Sequence, residues 1–146
     1  MLQQPNELRG TLRINWMSLG QAAVDSAGKL KFPNLSTMPG LYRFSVQKSD
    51  GLKAVYIGET DNLQRRFAHY RNPGPTQPTN LRLNILFKQL LSDGAQIEIS
   101  VVIEDAWINW GGSETIANFS SKNVRRLFEN FALAADRGTE VESLNK

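Results

Sequence analysis

Several residue types and patterns are missing from this sequence, and each absence removes a class of protein. The 146 residues contain no cysteine, which excludes disulfide bonds, cysteine-ligated zinc fingers and thiol catalysis. A single histidine, His69, excludes a histidine-rich metal centre. No apolar run approaches the roughly 20 residues that span a membrane, and the N-terminal stretch lacks the apolar core of a secretory signal. We therefore expect a cytoplasmic protein without a membrane partner.

Nucleotide-binding loops are also missing. The chain has no Walker-type loop and no dinucleotide fingerprint, so we expect no organic cofactor. What remains is an ordinary globular composition, with 40% hydrophobic and 21% charged residues. This length suffices for one domain with a buried core.

Charge of one sign is missing from two neighbouring segments. Residues 63–91 contain no carboxylate, whereas residues 93–114 contain no base. The bases of the first segment are Arg65, Arg66, Arg71, Arg82 and Lys88. A basic segment suits a polyanion because each neutralised phosphate releases counterions. A solvated helix face explains the same pattern, so charge alone leaves nucleic-acid binding open.

From Gly40 onward the sequence predicts a strand hairpin. Residues 41–47 and 53–57 are rich in β-branched and aromatic side chains. The segment Ser49-Asp50-Gly51 between them suits a three-residue loop that pairs Lys48 with Leu52. This register places Tyr42 and Tyr56 as diagonal neighbours on one face of the sheet.

The rest of the chain predicts two helices, a strand and a last helix. We expect a helix capped by Asp61 or Asn62 and ending near Arg71, a helix capped by Asn80 and closed by Gly94, a strand over 96–103, an irregular insertion over 104–118, and a helix capped by Ser120 or Ser121 and ending near Gly138. This order predicts an α/β sandwich with a mainly antiparallel three-stranded sheet flanked by helices.

Residues 1–38 are interpreted as an N-terminal extension packed on a domain over 39–146. Gln21–Val24 suits a helical turn within it, although no clean hydrophobic period emerges. Trp16, Trp107 and Trp110 are candidates for contacts with a protein partner, but we expect them in the core.

Individual polar residues leave more than one interpretation open. Arg66 borders the apolar stripe of its helix, so it either binds a phosphate or reaches out to water or a carboxylate. Tyr42, Tyr56 and Tyr70 suit proton transfer or core packing, and His69 suits acid–base chemistry or an exposed surface. Glu129 has Arg125 one helical turn before it, which indicates an exposed helical ion pair.

Three groups of residues resemble the GIY-YIG nuclease family. They are Pro39-Gly40-Leu41-Tyr42, then Tyr56-Ile57-Gly58-Glu59-Thr60, then Asn62-Leu63 with Arg66. The family is named after its two tripeptides, which are Gly-Leu-Tyr and Tyr-Ile-Gly here. The resemblance covers roughly residues 39–146 and implies that family's ββααβα core.

The resemblance implies a role for each matching residue. Tyr42 or Tyr56 would orient or deprotonate the attacking water, and Arg66 would stabilise charge on the phosphate. Tyr70 or His69 would assist, and Glu129 would bind Mg²⁺ or Mn²⁺. Asn145 corresponds to an asparagine that often follows the glutamate, and we group it with Arg65, Arg71, Arg82 and Lys88 as nucleic-acid contacts.

The sequence therefore predicts a metal-dependent endonuclease that hydrolyses DNA phosphodiester bonds in repair or restriction. A partner protein or a homo-oligomer would supply its target specificity. Glu59 occupies a position where some members of the family carry lysine, and its carboxylate would repel phosphate. This departure motivates an alternative, a nucleic-acid-binding module that keeps the fold with weak or no catalysis.

Overall fold

The computed structural model describes residues 6–136 and 139–146, which form ten strands and three helices. The strands are β1 (Gly10–Ile14), β2 (Met17–Gln21), β3 (Ala23–Val24), β4 (Leu30–Lys31), β5 (Gly40–Gln47), β6 (Lys53–Thr60), β7 (Gln96–Val102), β8 (Ala106–Trp110), β9 (Ser113–Ile116) and β10 (Glu142–Ser143). The helices are α1 (Leu63–Arg71), α2 (Pro78–Ser92) and α3 (Lys122–Asp136). None of these helices is long and apolar enough to cross a bilayer. The predicted end of the last helix near Gly138 lies outside the described residues.

The central sheet has five strands in the order β10-β6-β5-β7-β2. Its neighbours pair antiparallel except β10, which runs parallel to β6. The predicted three-residue loop between β5 and β6 is confirmed, because the Lys48 N–H donates to the Leu52 carbonyl at 2.8 Å and Gly51 has a φ of 89°. The predicted mixed α/β class with an antiparallel sheet is therefore confirmed, but the sheet has five strands rather than three.

The two faces of β5 pack against different helices. Tyr42 and Phe44 face α1 and α2, where the Phe44 ring lies 5.2 Å from Phe67 and 4.6 Å from Phe87 between centroids. Each such aromatic contact adds about 0.5–1.5 kcal/mol beyond the area it buries. Leu41, on the other face, packs with Phe128 of α3. The sheet is thus held between α1 and α2 on one side and α3 on the other.

The predicted helical turn at Gln21–Val24 is wrong, because this segment is extended. β2 pairs with β7 as an edge strand of the central sheet, and β3 pairs with β4. The Ala22 N–H continues the first pairing by donating to the Ile97 carbonyl at 2.8 Å. Hydrogen bonds to a strand some 75 residues away in the sequence, rather than local propensity, set this conformation.

The predicted irregular insertion over 104–118 is also wrong in part. β8 and β9 form a hairpin, and β1 pairs with β8 to complete a separate three-stranded antiparallel sheet. The glycines of the hairpin loop, Gly111 and Gly112, have φ values of 58° and 92°. Trp110 is 51% exposed on this sheet, so the expectation that all three tryptophans lie in the core fails there.

The helix caps agree with the sequence at two of three positions. The side chain of Asn62 accepts a hydrogen bond from the Arg65 N–H at 2.9 Å, as an N-cap does. Ser121 precedes α3 and its hydroxyl accepts from the Val124 N–H at 3.4 Å. Asn80 is not a cap, because α2 begins earlier at Pro78, whose fixed φ suits the first helical position.

Candidate active site

Two glycines bring the predicted site together by allowing close approach. A Cβ added to Gly58 would lie 2.3 Å from the hydroxyl of Tyr42, so only glycine leaves room for this ring beside β6. A Cβ added to Gly40 would lie 2.4 Å from the Val102 carbonyl oxygen of β7. The glycines of both tripeptides are therefore required by packing around the β5–β6 hairpin.

The tyrosines form a cluster on the face of the sheet that α1 covers. The predicted placement of Tyr42 and Tyr56 on one face is confirmed, with ring centroids 6.4 Å apart. The hydroxyls of Tyr42 and Tyr70 are hydrogen-bonded at 2.6 Å. Tyr42 and Tyr70 are buried, whereas Tyr56 is partly exposed. Tyr56 is therefore the tyrosine of this cluster that a substrate can reach.

Burial disfavours ionisation of the two inner tyrosines, Tyr42 and Tyr70. It raises the pKa of Tyr42 and of Tyr70 well above the ordinary value of a phenol, and the charge of Arg66 opposes this rise only in part. Both phenols therefore stay protonated at neutral pH, and one hydroxyl of the pair donates to the other. Their environment argues against deprotonation of water by Tyr42.

Arg66 lies on α1 beside this cluster and is half-buried. Burial works to lower its pKa and the carboxylate of Glu59 works to raise it, and the guanidinium stays charged at neutral pH. Among the described residues, Arg66 has no hydrogen-bond acceptor and no salt-bridge partner within bonding distance. A charged donor group that is half-buried and unpaired is suited to bind an incoming anion.

Glu129 on α3 belongs to the same electrostatic neighbourhood. Burial and the nearby Glu59 raise the pKa of its carboxyl, while Arg66 and the backbone N–H of Glu59 oppose this rise. The charge of Glu129 also bears on the pKa of Tyr42. Glu129 is thus electrostatically coupled to Tyr42 and Arg66, although these residues lie on the separate elements α3, β5 and α1.

The predicted ion pair between Glu129 and Arg125 is wrong. Arg125 is buried and its Nε donates to Glu59 Oε2 at 2.6 Å instead, with the two side chains 8% and 16% exposed. Nη1 of Arg125 also donates to the carbonyls of Phe119 and Ser120, at 2.9 and 3.3 Å. Among the described residues, Glu129 is left without a salt bridge.

Two other predicted site residues, Arg71 and Arg82, form hydrogen bonds within the fold. Arg71 is used by the fold, since Nη1 donates to the Leu30 carbonyl at 2.7 Å and Nη2 pairs with Asp25 at 2.8 Å. Arg82 donates to the carbonyl of Leu144 at 3.2 Å. These contacts use part of each guanidinium within the fold, and the predicted contacts of Arg71 and Arg82 with nucleic acid stay predictions.

Asn145 is likewise engaged by the backbone. Its amide accepts from the Ile57 N–H at 3.0 Å and donates to the Ile57 carbonyl at 2.6 Å, which fastens the C-terminal segment to β6. Both polar atoms of the side chain are therefore bonded to the backbone of β6, and the predicted contact of Asn145 with nucleic acid stays a prediction. The sequence carries no indication of this pair of hydrogen bonds beyond an asparagine near the C-terminus.

Three further candidates remain at the surface. Arg65 is exposed and pairs with Asp61 one turn before it. His69 and Lys88 are partly exposed, and the described residues give neither a hydrogen bond nor a salt bridge. Lys88 lines a surface hollow with residues of β3 and α2, away from the tyrosines. No described contact joins His69 to the tyrosine cluster, so its assisting role stays a prediction.

Comparison with known proteins agrees with the fold. The sequence matches no protein-family model and no curated protein. Among solved structures, the chain is similar to a point mutant of bacteriophage T4 EndoII at 16% identity with a TM-score of 0.54, over 80% of this chain and 86% of that chain. At this identity the similarity shows a shared fold, which agrees with the predicted mixed α/β class but does not test the predicted ββααβα order.

Proposed function

We propose that this protein is an endonuclease that hydrolyses DNA phosphodiester bonds with one divalent metal ion, as its resemblance to the GIY-YIG family implies. One observation carries the proposal. Separate segments deliver Tyr56, Arg66 and Glu129 to one neighbourhood, and within the described residues neither charged group is used in a salt bridge. The phage protein with a similar fold is named EndoII, as an endonuclease would be.

The residues present fit a hard divalent cation. Glu129 offers a half-buried carboxylate, and the described residues contain no cluster of three or more histidine, aspartate or glutamate side chains. Mg²⁺ and Mn²⁺ accept one protein carboxylate with water and phosphate oxygens in the other positions. A bound ion would polarise the phosphoryl group and stabilise the leaving oxygen.

Arg66 supplies the positive charge that the reaction needs. Its guanidinium is charged, half-buried and unpaired within the described structure, so a phosphate replaces water there without breaking a salt bridge. Charge–charge interactions are stronger at a partly buried position than in bulk water. Arg66 therefore binds the scissile phosphate and stabilises the charge that grows on its non-bridging oxygens.

The three tyrosines have two different roles in this proposal. Tyr56 is accessible and orients the attacking water or a phosphate oxygen by hydrogen bonding. Tyr42 and Tyr70 are buried and bonded to each other, so they hold the ring of Tyr56 and the β5–β6 hairpin in place. This division favours Tyr56 over Tyr42 as the residue beside the nucleophile.

Cleavage of supercoiled plasmid in the presence of Mg²⁺ or Mn²⁺ tests the proposal. We expect the wild-type protein to nick or linearise the plasmid, and Glu129→Ala to reduce the rate by about 10²–10³-fold. Lys122→Ala, which removes an exposed charge from the first turn of α3, is the matched control and should leave the rate unchanged. Undiminished cleavage by Glu129→Ala would refute the assignment of the metal ligand.

The same experiment separates the alternative function. Salt-sensitive binding to DNA without metal-dependent cutting would identify a nucleic-acid-binding module that has kept only the fold. The observation that motivated this alternative, the carboxylate of Glu59, carries less weight once that carboxylate is paired with Arg125.

A further inference from the structure

Glu59 of β6 and Arg125 of α3 form an ion pair that is largely buried. Both side chains are largely removed from water, and the Nε–Oε2 distance is 2.6 Å. Removing two charges from water is costly unless they are closely paired and hydrogen-bonded. The partners are 66 residues apart in the sequence, so the pair connects two elements rather than stabilising one helix.

Arg125 stands at an unfavourable position for an arginine. It lies near the N-terminal end of α3, where the helix dipole disfavours positive charge, and the first turn of α3 has no acidic residue. Its Nη1 reaches back to the Phe119 and Ser120 carbonyls that precede the helix. The carboxylate of Glu59 therefore balances both the guanidinium and the positive end of the helix.

The pair also joins the two elements that carry the proposed site. Glu59 lies on β6, three residues after Tyr56, and Arg125 lies on α3, one helical turn before Glu129. Glu59 also influences the pKa of Glu129, so the two carboxylates are electrostatically coupled. The contact therefore fixes the separation between the strand that carries Tyr56 and the helix that carries Glu129.

We propose that the Glu59–Arg125 pair is a positioning clamp, which holds Glu129 in register with Tyr56 and cancels a carboxylate that would otherwise repel the phosphate. The proposal rests on the proposed function for its catalytic consequence. Neither residue touches the reacting atoms in this scheme. Glu59, which the sequence marks as a departure from a lysine found in some family members, is thereby compatible with an active site.

A set of three variants tests the clamp: Glu59→Gln, Arg125→Met and the double variant. Glu104→Gln and Lys122→Met remove exposed charges of the same signs and are the matched controls. Four quantities are measured at one fixed pH: kcat and KM for plasmid cleavage, Mn²⁺ affinity by calorimetry, and affinity for a DNA duplex without metal. Thermal melting checks that each variant is folded.

The clamp predicts a separation of kcat from KM. Glu59→Gln should lower kcat by about tenfold or more, because a displacement of about 1 Å at a site is enough for such a loss. Its KM for DNA should not rise, because a negative charge near the phosphate is removed. Mn²⁺ affinity should fall with kcat, since Glu129 is no longer held in place. Unchanged kcat and Mn²⁺ affinity in Glu59→Gln would overturn the positioning role.

Arg125→Met leaves Glu59 unpaired and should weaken metal-free DNA binding by about tenfold. The double variant should recover this affinity without recovering kcat. Equal loss of affinity in the single and double variants would show that Glu59 is not the cause, and the clamp would be refuted. Tighter Mn²⁺ binding by Arg125→Met would also refute it, by identifying Glu59 as a second metal ligand.

These outcomes separate the clamp from the nuclease assignment. If the wild-type protein binds DNA but does not cut it, the proposed function is refuted. The DNA affinity of the double variant then still tests whether Arg125 cancels the charge of Glu59. A wild-type protein that does not bind DNA refutes both. If Arg125→Met does not fold, Glu59→Gln decides the proposal, because it keeps Arg125 bonded to the two carbonyls.

Discussion

Two arginines of the same helix, Arg66 and Arg71, have opposite surroundings. Arg66, in the middle of α1, lies beside the tyrosine cluster without a partner among the described residues. Arg71, its last residue, is bonded to the Leu30 carbonyl and paired with Asp25, which lies between β3 and β4. Both arginines count equally in the charge of the sequence. The difference shows that one base of α1 is bonded to the segment around β3 and β4, whereas the other has no described partner.

The largest effect should come from Arg66→Ala. We expect kcat for plasmid cleavage to fall by about 10²–10³-fold, because the variant loses the charge that stabilises the transition state. The melting temperature should stay within about 2 °C of wild type, since no described hydrogen bond is lost. Cleavage assays and thermal melts on the same preparation measure both. A large loss of stability with normal cutting would show that Arg66, like Arg71, stabilises the fold and does not bind the phosphate.

The tyrosine cluster allows a similar division. Tyr42→Phe removes one partner of the 2.6 Å hydroxyl contact and leaves the Tyr70 hydroxyl buried and unpaired. The free energy of unfolding should fall by about 1–3 kcal/mol, as measured by urea denaturation. Tyr56→Phe, on the partly exposed ring, is the control and should reduce activity more than stability. If Tyr42→Phe abolishes cutting in a protein of normal stability, Tyr42 rather than Tyr56 lies beside the nucleophile.

The features near the hairpin could be predicted from the sequence because they depend on local rules. Alternation of side chains along a strand and the length of the loop fix which residues share a face, and this placed Tyr42 beside Tyr56. A cap at Asp61 or Asn62 and an apolar stripe likewise predicted the first helix, which begins at Leu63 after the Asn62 cap. No part of these predictions needed a distant segment of the chain.

The features that the sequence missed depend on distant partners. The partner of Arg125 is 66 residues away, so helix spacing pointed to Glu129 instead. β8 gains its regularity from pairing with β1, which places Leu12 opposite Ile108. Short strands of this kind have no pattern of their own that outweighs turn-forming residues. Burial of Tyr42 and Tyr70, which raises the pKa of both phenols, is also a property of the assembled fold.

A smaller effect, on stability alone, is expected for Arg71→Ala. The Leu30 carbonyl loses a hydrogen bond from a charged donor, which costs about 1–2 kcal/mol in the free energy of unfolding. The kcat and KM for cleavage should stay at the wild-type values under conditions where the variant is folded. Denaturation curves and cleavage assays below the transition measure the two properties. A loss of DNA affinity as large as that of Arg66→Ala would remove the distinction between Arg66 and Arg71.

Arg65→Ala should give the smallest effect and provides the sharpest control for Arg66. The two arginines are neighbours in the sequence, but Arg65 points to solvent and pairs with Asp61, which neutralises its charge. We expect no measurable change in melting temperature and less than about a threefold change in DNA affinity. The decisive measurement is the dependence of the binding constant on salt. A slope reduced by about one would mean that Arg65 contacts a phosphate. In that case the exposed face of α1 would bind the DNA backbone while its inner face binds the scissile phosphate.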